Sequence, residues 1–97
     1  MRAMYIAMVK KVLRDGRECR KCEQAMDQLM ARGLWERIDD VVIATEGDPT
    51  SPGVRLAAQH GVDVAPFFIV RDDGGEQVYT SVLQLIRERL AAATSGG

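Results

Sequence analysis

Cys19-Arg20-Lys21-Cys22 carries the only two cysteines of the chain, three positions apart. It lies between an apolar run and a helical pattern, so we expect it at the N-terminus of a helix. Free N–H groups and the positive end of the helix dipole favour a thiolate at such a position. Two thiols at this spacing can also close and reopen a disulfide with little backbone movement. The stretch therefore raises the hypothesis of redox chemistry.

The residues on either side of this stretch predict a strand, a helix and a second strand. Residues 5–13 are rich in Ile, Val, Leu and Met and predict a first strand, although Lys10 and Lys11 leave its register open. Residues 41–44 form a short apolar run, typical of a buried parallel strand. Between them, the pattern over residues 19–32 predicts a helix that ends before Gly33. Its expected inner face consists of Cys22, Met26, Leu29 and Met30.

The second half of the chain predicts a helix, a hairpin and a last helix. Ser51-Pro52 is a typical helix start, and Gly61 is the expected stop. Residues 66–70 predict a strand that turns at residues 72–75 into a strand over residues 76–79. Thr80 or Ser81 caps the last helix. The expected inward side chains of the two helices are Val54, Ala57 and Ala58, and then Leu83, Ile86, Leu90 and Ala93.

These elements give the order β-α-β-α-β-β-α, which indicates the α/β class. We expect a single domain over residues 1–97, with its core over about residues 5–93 and a frayed tail over residues 94–97. The first βαβ should be a right-handed parallel unit. The second half should end in an antiparallel hairpin covered by a helix.

Composition argues against several classes of function. Hydrophobic residues make up 46% and charged residues 28%, an ordinary globular balance. The net charge of −1 leaves no basic excess to neutralise phosphates, which argues against a nucleic-acid partner. No segment approaches the ~18–20 apolar residues of a membrane span, and no signal-peptide pattern is present. We therefore expect a cytoplasmic protein without a membrane partner, in which a structural disulfide is uncommon.

A second motif, Val64-Ala65-Pro66-Phe67-Phe68, stands where the third strand begins. Together with the element order and the CxxC after the first strand, it resembles the thioredoxin-like superfamily over about residues 5–90. The resemblance implies a thioredoxin-like fold with a central four-stranded mixed sheet and helices on both faces. It also implies a cis peptide before Pro66, close to the cysteines, and a substrate backbone docked by Ala65 and Pro66.

The sequence also departs from the best-known members of that superfamily. Glu18 stands where thioredoxins have tryptophan, and Arg20-Lys21 replaces Gly-Pro between the cysteines. The chain lacks the extra N-terminal strand and helix of thioredoxin, so its length is closer to that of glutaredoxins. The glycine–aspartate motif that holds glutathione in glutaredoxins has no counterpart at Thr80-Ser81.

The redox interpretation predicts a small thiol–disulfide oxidoreductase that acts on protein or low-molecular-weight disulfides. Cys19 is the expected nucleophile, and Cys22 the thiol that resolves the mixed disulfide. Positive charge from Arg17, Arg20 and Lys21 should lower the pKa of Cys19 below that of a free cysteine. No dissociable cofactor is expected besides an electron donor such as glutathione or a reductase. The oligomeric state is left open.

Two alternatives use the same cysteines differently. CxxC also binds metals, but one chain adds only His60 to the two cysteines, whereas structural zinc takes four ligands. Two subunits sharing four cysteines around zinc or an iron–sulfur cluster would meet that number. The other alternative is a non-catalytic binding or adaptor module on a thioredoxin-like scaffold, in which the cysteines pack as small hydrophobes.

Overall fold

A four-stranded mixed sheet forms the centre of the computed structural model, which describes residues 4–90. Its strands are β1 (Tyr5–Val12), β2 (Asp40–Thr45), β3 (Phe67–Asp72) and β4 (Gly75–Tyr79), in the spatial order β2-β1-β3-β4. β1 pairs in parallel with β2 and antiparallel with β3, and β3 and β4 form an antiparallel hairpin. The α/β class, the mixed sheet and the hairpin are therefore as predicted.

Three helices connect and cover the strands. They are α1 (Arg20–Ala31), α2 (Pro52–His60) and α3 (Val82–Leu85), which continues as a π-helical segment (Ile86–Leu90). A short 3₁₀ turn (Trp35–Arg37) leads from α1 towards β2. Within residues 4–90, no helix is both long enough and apolar enough to cross a membrane.

Neighbouring phenylalanines at the start of β3 show that helices cover both faces of the sheet. Phe68 belongs to a buried cluster that includes residues of α1 and of the C-terminal helical segments. Phe67 points to the other face, where it packs with Val9 and with Leu56 and Ala57 of α2. Successive strand residues face opposite sides, so the pair supplies both layers of the core. The expectation of helices on both faces is confirmed.

β2 is less buried than its apolar sequence predicts. Val41 is 36% exposed, while Val42 and Ala44 pack partly buried on the α2 face. The prediction of a buried strand is wrong because β2 lies at the edge of the sheet, where β1 is the one strand beside it within residues 4–90. Its parallel pairing with β1 is as predicted.

The buried faces of α1 and α2 differ in part from the predicted ones. Cys22, Ala25 and Leu29 are the buried residues of α1, whereas Met30 is 50% exposed. One residue beyond Leu29 turns about 100° around the helix, which carries Met30 out of the buried stripe. Ala58 of α2 is likewise exposed. The inward positions next to it are taken by Leu56 and Ala57.

The last helix does not keep the α-helical period that was used to predict its buried face. Leu83 is 48% exposed, whereas Leu85, Ile86 and Leu90 are buried. The π-helical segment widens the turn, so that residues five apart, such as Leu85 and Leu90, face the same side. The prediction is therefore wrong at Leu83 and right at Ile86 and Leu90. Predictions for Ala93 and residues 94–97 lie outside the described residues.

The start of α2 is fixed to the backbone of β2. Ser51 occupies the predicted N-cap position, but its side chain makes no capping hydrogen bond. Instead its hydroxyl donates to the Ile43 carbonyl at 2.8 Å and accepts from the Thr45 N–H at 2.9 Å. Gly53 is buried beside the same strand, where a Cβ atom would lie 2.5 Å from the Ala44 nitrogen. Helix and strand therefore meet at a distance that only glycine permits.

Candidate functional site

The loop between β1 and α1 brings the first cysteine back to the strand that precedes it. Val12 and Glu18 form an isolated antiparallel bridge across the loop. The Cys19 N–H then donates to the Lys11 carbonyl at 3.3 Å. These contacts hold the start of α1 against the end of β1, so the position of Cys19 depends on the strand as well as on the helix.

Cys19 is the N-cap residue of α1 and is partly buried. Its carbonyl accepts the Glu23 N–H at 3.0 Å. Burial acts to raise the pKa of its thiol, but the net direction is downward. The backbone N–H and thiol of Cys22, the backbone N–H of Lys21 and the charge of Lys11 all favour the thiolate. The direction agrees with the expectation of a Cys19 pKa below that of a free cysteine.

Cys22 lies one helical turn further on and has no exposed surface. Its sulfur accepts the Lys11 N–H at 3.3 Å. Burial raises the pKa of Cys22 to about 11, and the neighbouring Cys19 acts in the same direction. Both cysteines are free in the structure. At neutral pH Cys22 is therefore a thiol, and the more exposed Cys19 is the residue of the pair that ionises more readily.

Lys10 and Lys11, which left the register of the first strand open in the sequence, lie near the end of β1, next to the two cysteines. Lys11 contacts both of them through its backbone. The Lys10 ammonium lies 2.6 Å from a Glu18 oxygen, and the Lys11 ammonium lies 3.8 Å from a Glu46 oxygen. Sequence reasoning did not assign either lysine to the site. The sequence signal that could have indicated their role is the presence of two lysines near the end of an apolar strand, shortly before the CxxC.

The predicted pKa-tuning residues take different positions. Arg17 is exposed, and its Nε lies 2.6 Å from an Asp15 oxygen. Arg20 and Lys21 are exposed in the first turn of α1, where Lys21 acts on Cys19 through its backbone N–H. Charge effects of these three side chains on Cys19 stay a prediction; the cation whose charge favours the Cys19 thiolate, and so lowers the Cys19 pKa, is Lys11.

Ala65 and Pro66 precede β3 and are joined by a cis peptide bond, as the resemblance implied. Both are partly buried. Ala65 packs against the core cluster that contains Cys22 and that Cys19 also contacts. It further lines a groove of about 200 Å³ between α2 and the sheet. The other lining residues are Val9, Lys11, Ala44, Glu46, Val54, Ala57, Val62, Asp63, Val64 and Phe67.

The groove is mostly apolar and lies on the α2 face of the sheet, whereas Cys22 lies in the cluster on the α1 face; Lys11 of β1 contributes to both places. Lys11 lines the groove, and its backbone N–H donates a hydrogen bond to the Cys22 sulfur. Val64, which is 51% exposed, lies beside Ala65 in the lining. A bound molecule in this groove would therefore contact the residues just before β3 and lie next to the element that holds the cysteines.

Metal-ligating side chains do not gather in the part of the chain that the structure describes. Within residues 4–90 no group of three or more His, Cys, Asp and Glu residues is arranged to hold a metal ion. His60, the third candidate ligand of the sequence, ends α2, and its Nε2 lies 3.7 Å from a Glu76 oxygen on β4. A metal site shared between two subunits is not tested by this geometry.

Comparisons with protein-family models, with curated proteins and with solved structures find no match. Membership of the thioredoxin-like superfamily therefore stays a prediction. The case for a function depends on the geometry and electrostatics of Cys19 and Cys22.

Changing Lys11 to glutamine is expected to slow alkylation of Cys19. Loss of the cation raises the Cys19 pKa, so less thiolate is present at any pH below that pKa, and the rate should fall roughly two- to fivefold at neutral pH. The measurement is the rate of iodoacetamide modification against pH, with the modified peptide identified by mass spectrometry. Arg17→Gln is the comparison: the Arg17 side chain is exposed and paired with Asp15, so its loss should move the profile less than the loss of Lys11 does. A profile that moves with Arg17 and not with Lys11 contradicts this assignment.

Proposed function

We propose that the protein is a thiol–disulfide oxidoreductase of the thioredoxin- or glutaredoxin-like kind, which uses Cys19 and Cys22 as its dithiol/disulfide couple. The observation that carries the proposal is the difference between the two thiols. Cys19 is partly exposed at a helix N-terminus and has a lowered pKa. Cys22 is buried one turn away, with a pKa raised to about 11. A nucleophile and a protected resolving thiol need this asymmetry.

The proposal includes a thioredoxin-like fold. Its support is the strand order β2-β1-β3-β4, with the CxxC between β1 and α1 and the Ala65–Pro66 cis peptide ahead of β3. Helices on both faces of the sheet add to that support. These features concern the scaffold, whereas the proposed activity depends on the thiols.

The proposed reaction consists of two successive thiol–disulfide exchanges, the first and the second thiol transfer. The Cys19 thiolate attacks one sulfur of the substrate disulfide, and the other sulfur leaves as a thiolate that takes up a proton. Cys22 then loses its proton and attacks the Cys19 sulfur, which releases the second substrate sulfur as a thiol. Two electrons pass from the cysteine pair to the substrate, and the Cys19–Cys22 disulfide remains. Run backwards, the same steps oxidise a substrate dithiol.

We further propose that the groove beside Ala65 and Pro66 docks the substrate. Its apolar lining, the presence of Ala65 in that lining, and the hydrogen bond from the Lys11 backbone to Cys22 support this assignment. The substrate would be a disulfide-bearing protein or a low-molecular-weight disulfide. Glutathione or a reductase would restore the dithiol, and a cytoplasmic compartment would keep it reduced.

The test is a stoichiometric reaction between the reduced protein and a model disulfide without added thiol. Each chain is expected to reduce one disulfide and to lose two hydrogens as the Cys19–Cys22 bond forms, which mass spectrometry of the intact protein detects. Cys19→Ser is the control and should reduce none. The proposal fails if the wild-type protein reduces no disulfide and forms no internal one. Colour or stoichiometric metal in anaerobically purified protein would instead favour a metal or iron–sulfur carrier.

A further inference from the structure

Lys10 places a positive charge at the edge of the buried cluster that contains Cys22. Ile6, Met8 and Lys10 alternate along β1 and so share the face that α1 covers. Ile6 and Met8 belong to the same buried cluster as Cys22. The Lys10 side chain continues this row and is only 14% exposed. A charged side chain with so little exposed surface interacts with nearby ionisable groups more strongly than one in open solvent.

Glu18 is the ion-pair partner of Lys10. Its Oε1 lies 2.6 Å from the Lys10 Nζ, and its side chain is 38% exposed. Glu18 directly precedes Cys19 and is bridged to Val12 of β1. The ion pair thus joins the strand to the residue next to the nucleophile and places opposite charges beside the cysteine pair.

A nearby cation would stabilise the thiolate form of Cys22, which burial disfavours. Burial raises the pKa of Cys22 to about 11, and the charge of Lys10 is one of the influences that act against this rise. The Lys11 N–H, which donates to the Cys22 sulfur at 3.3 Å, is another. The second thiol transfer requires Cys22 as a thiolate, whereas the first requires Cys19. A charge that acts on Cys22 therefore affects the second step.

We infer that Lys10 is a positioning residue that promotes the attack of Cys22 on the mixed disulfide, and that Glu18 limits this effect by partly neutralising the Lys10 charge. The inference rests on the proposed oxidoreductase function and adds an electrostatic control of its second step. Lys10 acts by its charge and takes no part in the proton transfer. The Cys22 proton passes to the substrate sulfur that leaves Cys19, as the Cys19–Cys22 bond forms and the bond to substrate breaks.

Opposite effects of the two charges distinguish this role from a structural one. Removing Lys10 takes a favourable charge away from the Cys22 thiolate and slows the second step. Removing Glu18 leaves Lys10 unneutralised and speeds it. An ion pair that only stabilised the fold would be lost equally in both variants, and both would then change in the same direction.

The experiment follows the reaction of the reduced protein with dithiobis(nitrobenzoate), which releases one coloured thiolate at each transfer. The first phase reports Cys19 and the second reports Cys22. Lys10→Met is expected to slow the second phase roughly three- to tenfold and to change the first by less than about twofold. Glu18→Gln should speed the second phase, and Lys10→Arg should keep the wild-type rate.

The pH profile of the second phase gives an independent measurement. Its midpoint should rise in Lys10→Met and fall in Glu18→Gln. The titratable or charged groups around Cys22 include Cys19 at the N-cap of α1, Lys10 and Lys11 of β1, Glu18 of the connecting loop, and Tyr79 of β4, which lies in the same cluster. Of these, only Lys10 and Glu18 are changed.

Each outcome bears on one proposal or the other. The inference is overturned if both variants shift the second phase in the same direction, or if neither shifts it. A wild-type protein with a first phase and no second phase contradicts the proposed function itself. If Lys10→Met does not fold, as judged by circular dichroism, Glu18→Gln and Lys10→Arg still decide the question, because a second phase that is not faster in Glu18→Gln overturns the inference.

Discussion

Replacing Cys22 with serine is expected to stop the proposed reaction after its first half and to leave the substrate covalently attached to Cys19. A serine hydroxyl does not attack a disulfide, so the mixed disulfide has no internal route to resolution. Without an added thiol, turnover should fall by on the order of a hundredfold or more, as expected when a covalent step loses its nucleophile. The accumulated adduct is measured as one substrate thiol added to the intact mass and released by dithiothreitol.

The substitution should leave the first step working. In the wild-type protein, the Cys22 thiol is one of the groups that favour the Cys19 thiolate. A serine hydroxyl at the same position can still donate a hydrogen bond, and the Lys21 N–H and the Lys11 charge are unchanged. Adding glutathione to the trapped adduct then tests the electron donor, since a small thiol that resolves the adduct restores turnover by an external route.

The matched variant is Cys19→Ser, which should form no adduct. Its remaining thiol has no exposed surface and a pKa raised to about 11. Little thiolate is therefore present at neutral pH, and a substrate disulfide has no access to it. An adduct on Cys22 in that variant, or full turnover by Cys22→Ser without added thiol, would contradict the assigned order of attack.

Changing Gly53 to alanine is expected to destabilise the fold, although it adds only one methyl group to α2. Glycine to alanine in a helix is ordinarily stabilising by about 0.8–1.0 kcal/mol. At Gly53, however, the new Cβ would lie 2.5 Å from the Ala44 nitrogen and 2.6 Å from the Ile43 carbonyl carbon and oxygen. These are backbone atoms of β2 that cannot rotate away, so the helix has to move.

Movement of α2 also breaks the contacts that hold it. The Ser51 hydroxyl donates to the Ile43 carbonyl and accepts from the Thr45 N–H, and both bonds depend on the close approach of helix and strand. Overpacking and the loss of a buried hydrogen bond together predict a loss of roughly 2–4 kcal/mol in the free energy of unfolding. That is a large part of the ~5–15 kcal/mol typical of a folded domain.

Urea denaturation, followed by circular dichroism, measures this change. Gly74→Ala is the control, because that hairpin glycine has no left-handed φ and its Cβ would meet only the Asp72 carboxylate, at 3.3 Å. It should change the free energy of unfolding by less than about 1 kcal/mol. Equal stability of the two variants would show that α2 does not approach β2 as closely as the structure has it.

Much of the fold was readable from local patterns. The four strands, the three helices and the turn between β3 and β4 were predicted from periodicity and from glycine, proline and serine signals. Both cysteines were also placed at the start of α1 from sequence. These features depend on residues close together in the chain, which is why the sequence expresses them directly.

The errors fall where burial depends on distant elements. Val41 is exposed on β2, which has one neighbouring strand among the described residues, and Leu83 is exposed just ahead of the π-helical segment that places Leu90 on the side of Leu85. A continuous apolar run predicts burial but cannot indicate whether a strand is central or at an edge. A regular helical period likewise cannot predict where the period changes.

The sequence alone determined that two thiols lie three positions apart at a helix start, and so which chemistry to consider. Only the tertiary structure decided how unlike those thiols are. Cys22 is buried, and its sulfur accepts a hydrogen bond from the backbone of Lys11, eleven residues earlier. Lys10 and Glu18 form an ion pair across the loop that connects β1 with α1. Desolvation and charge act through space, and the fold sets which groups come within reach of each sulfur.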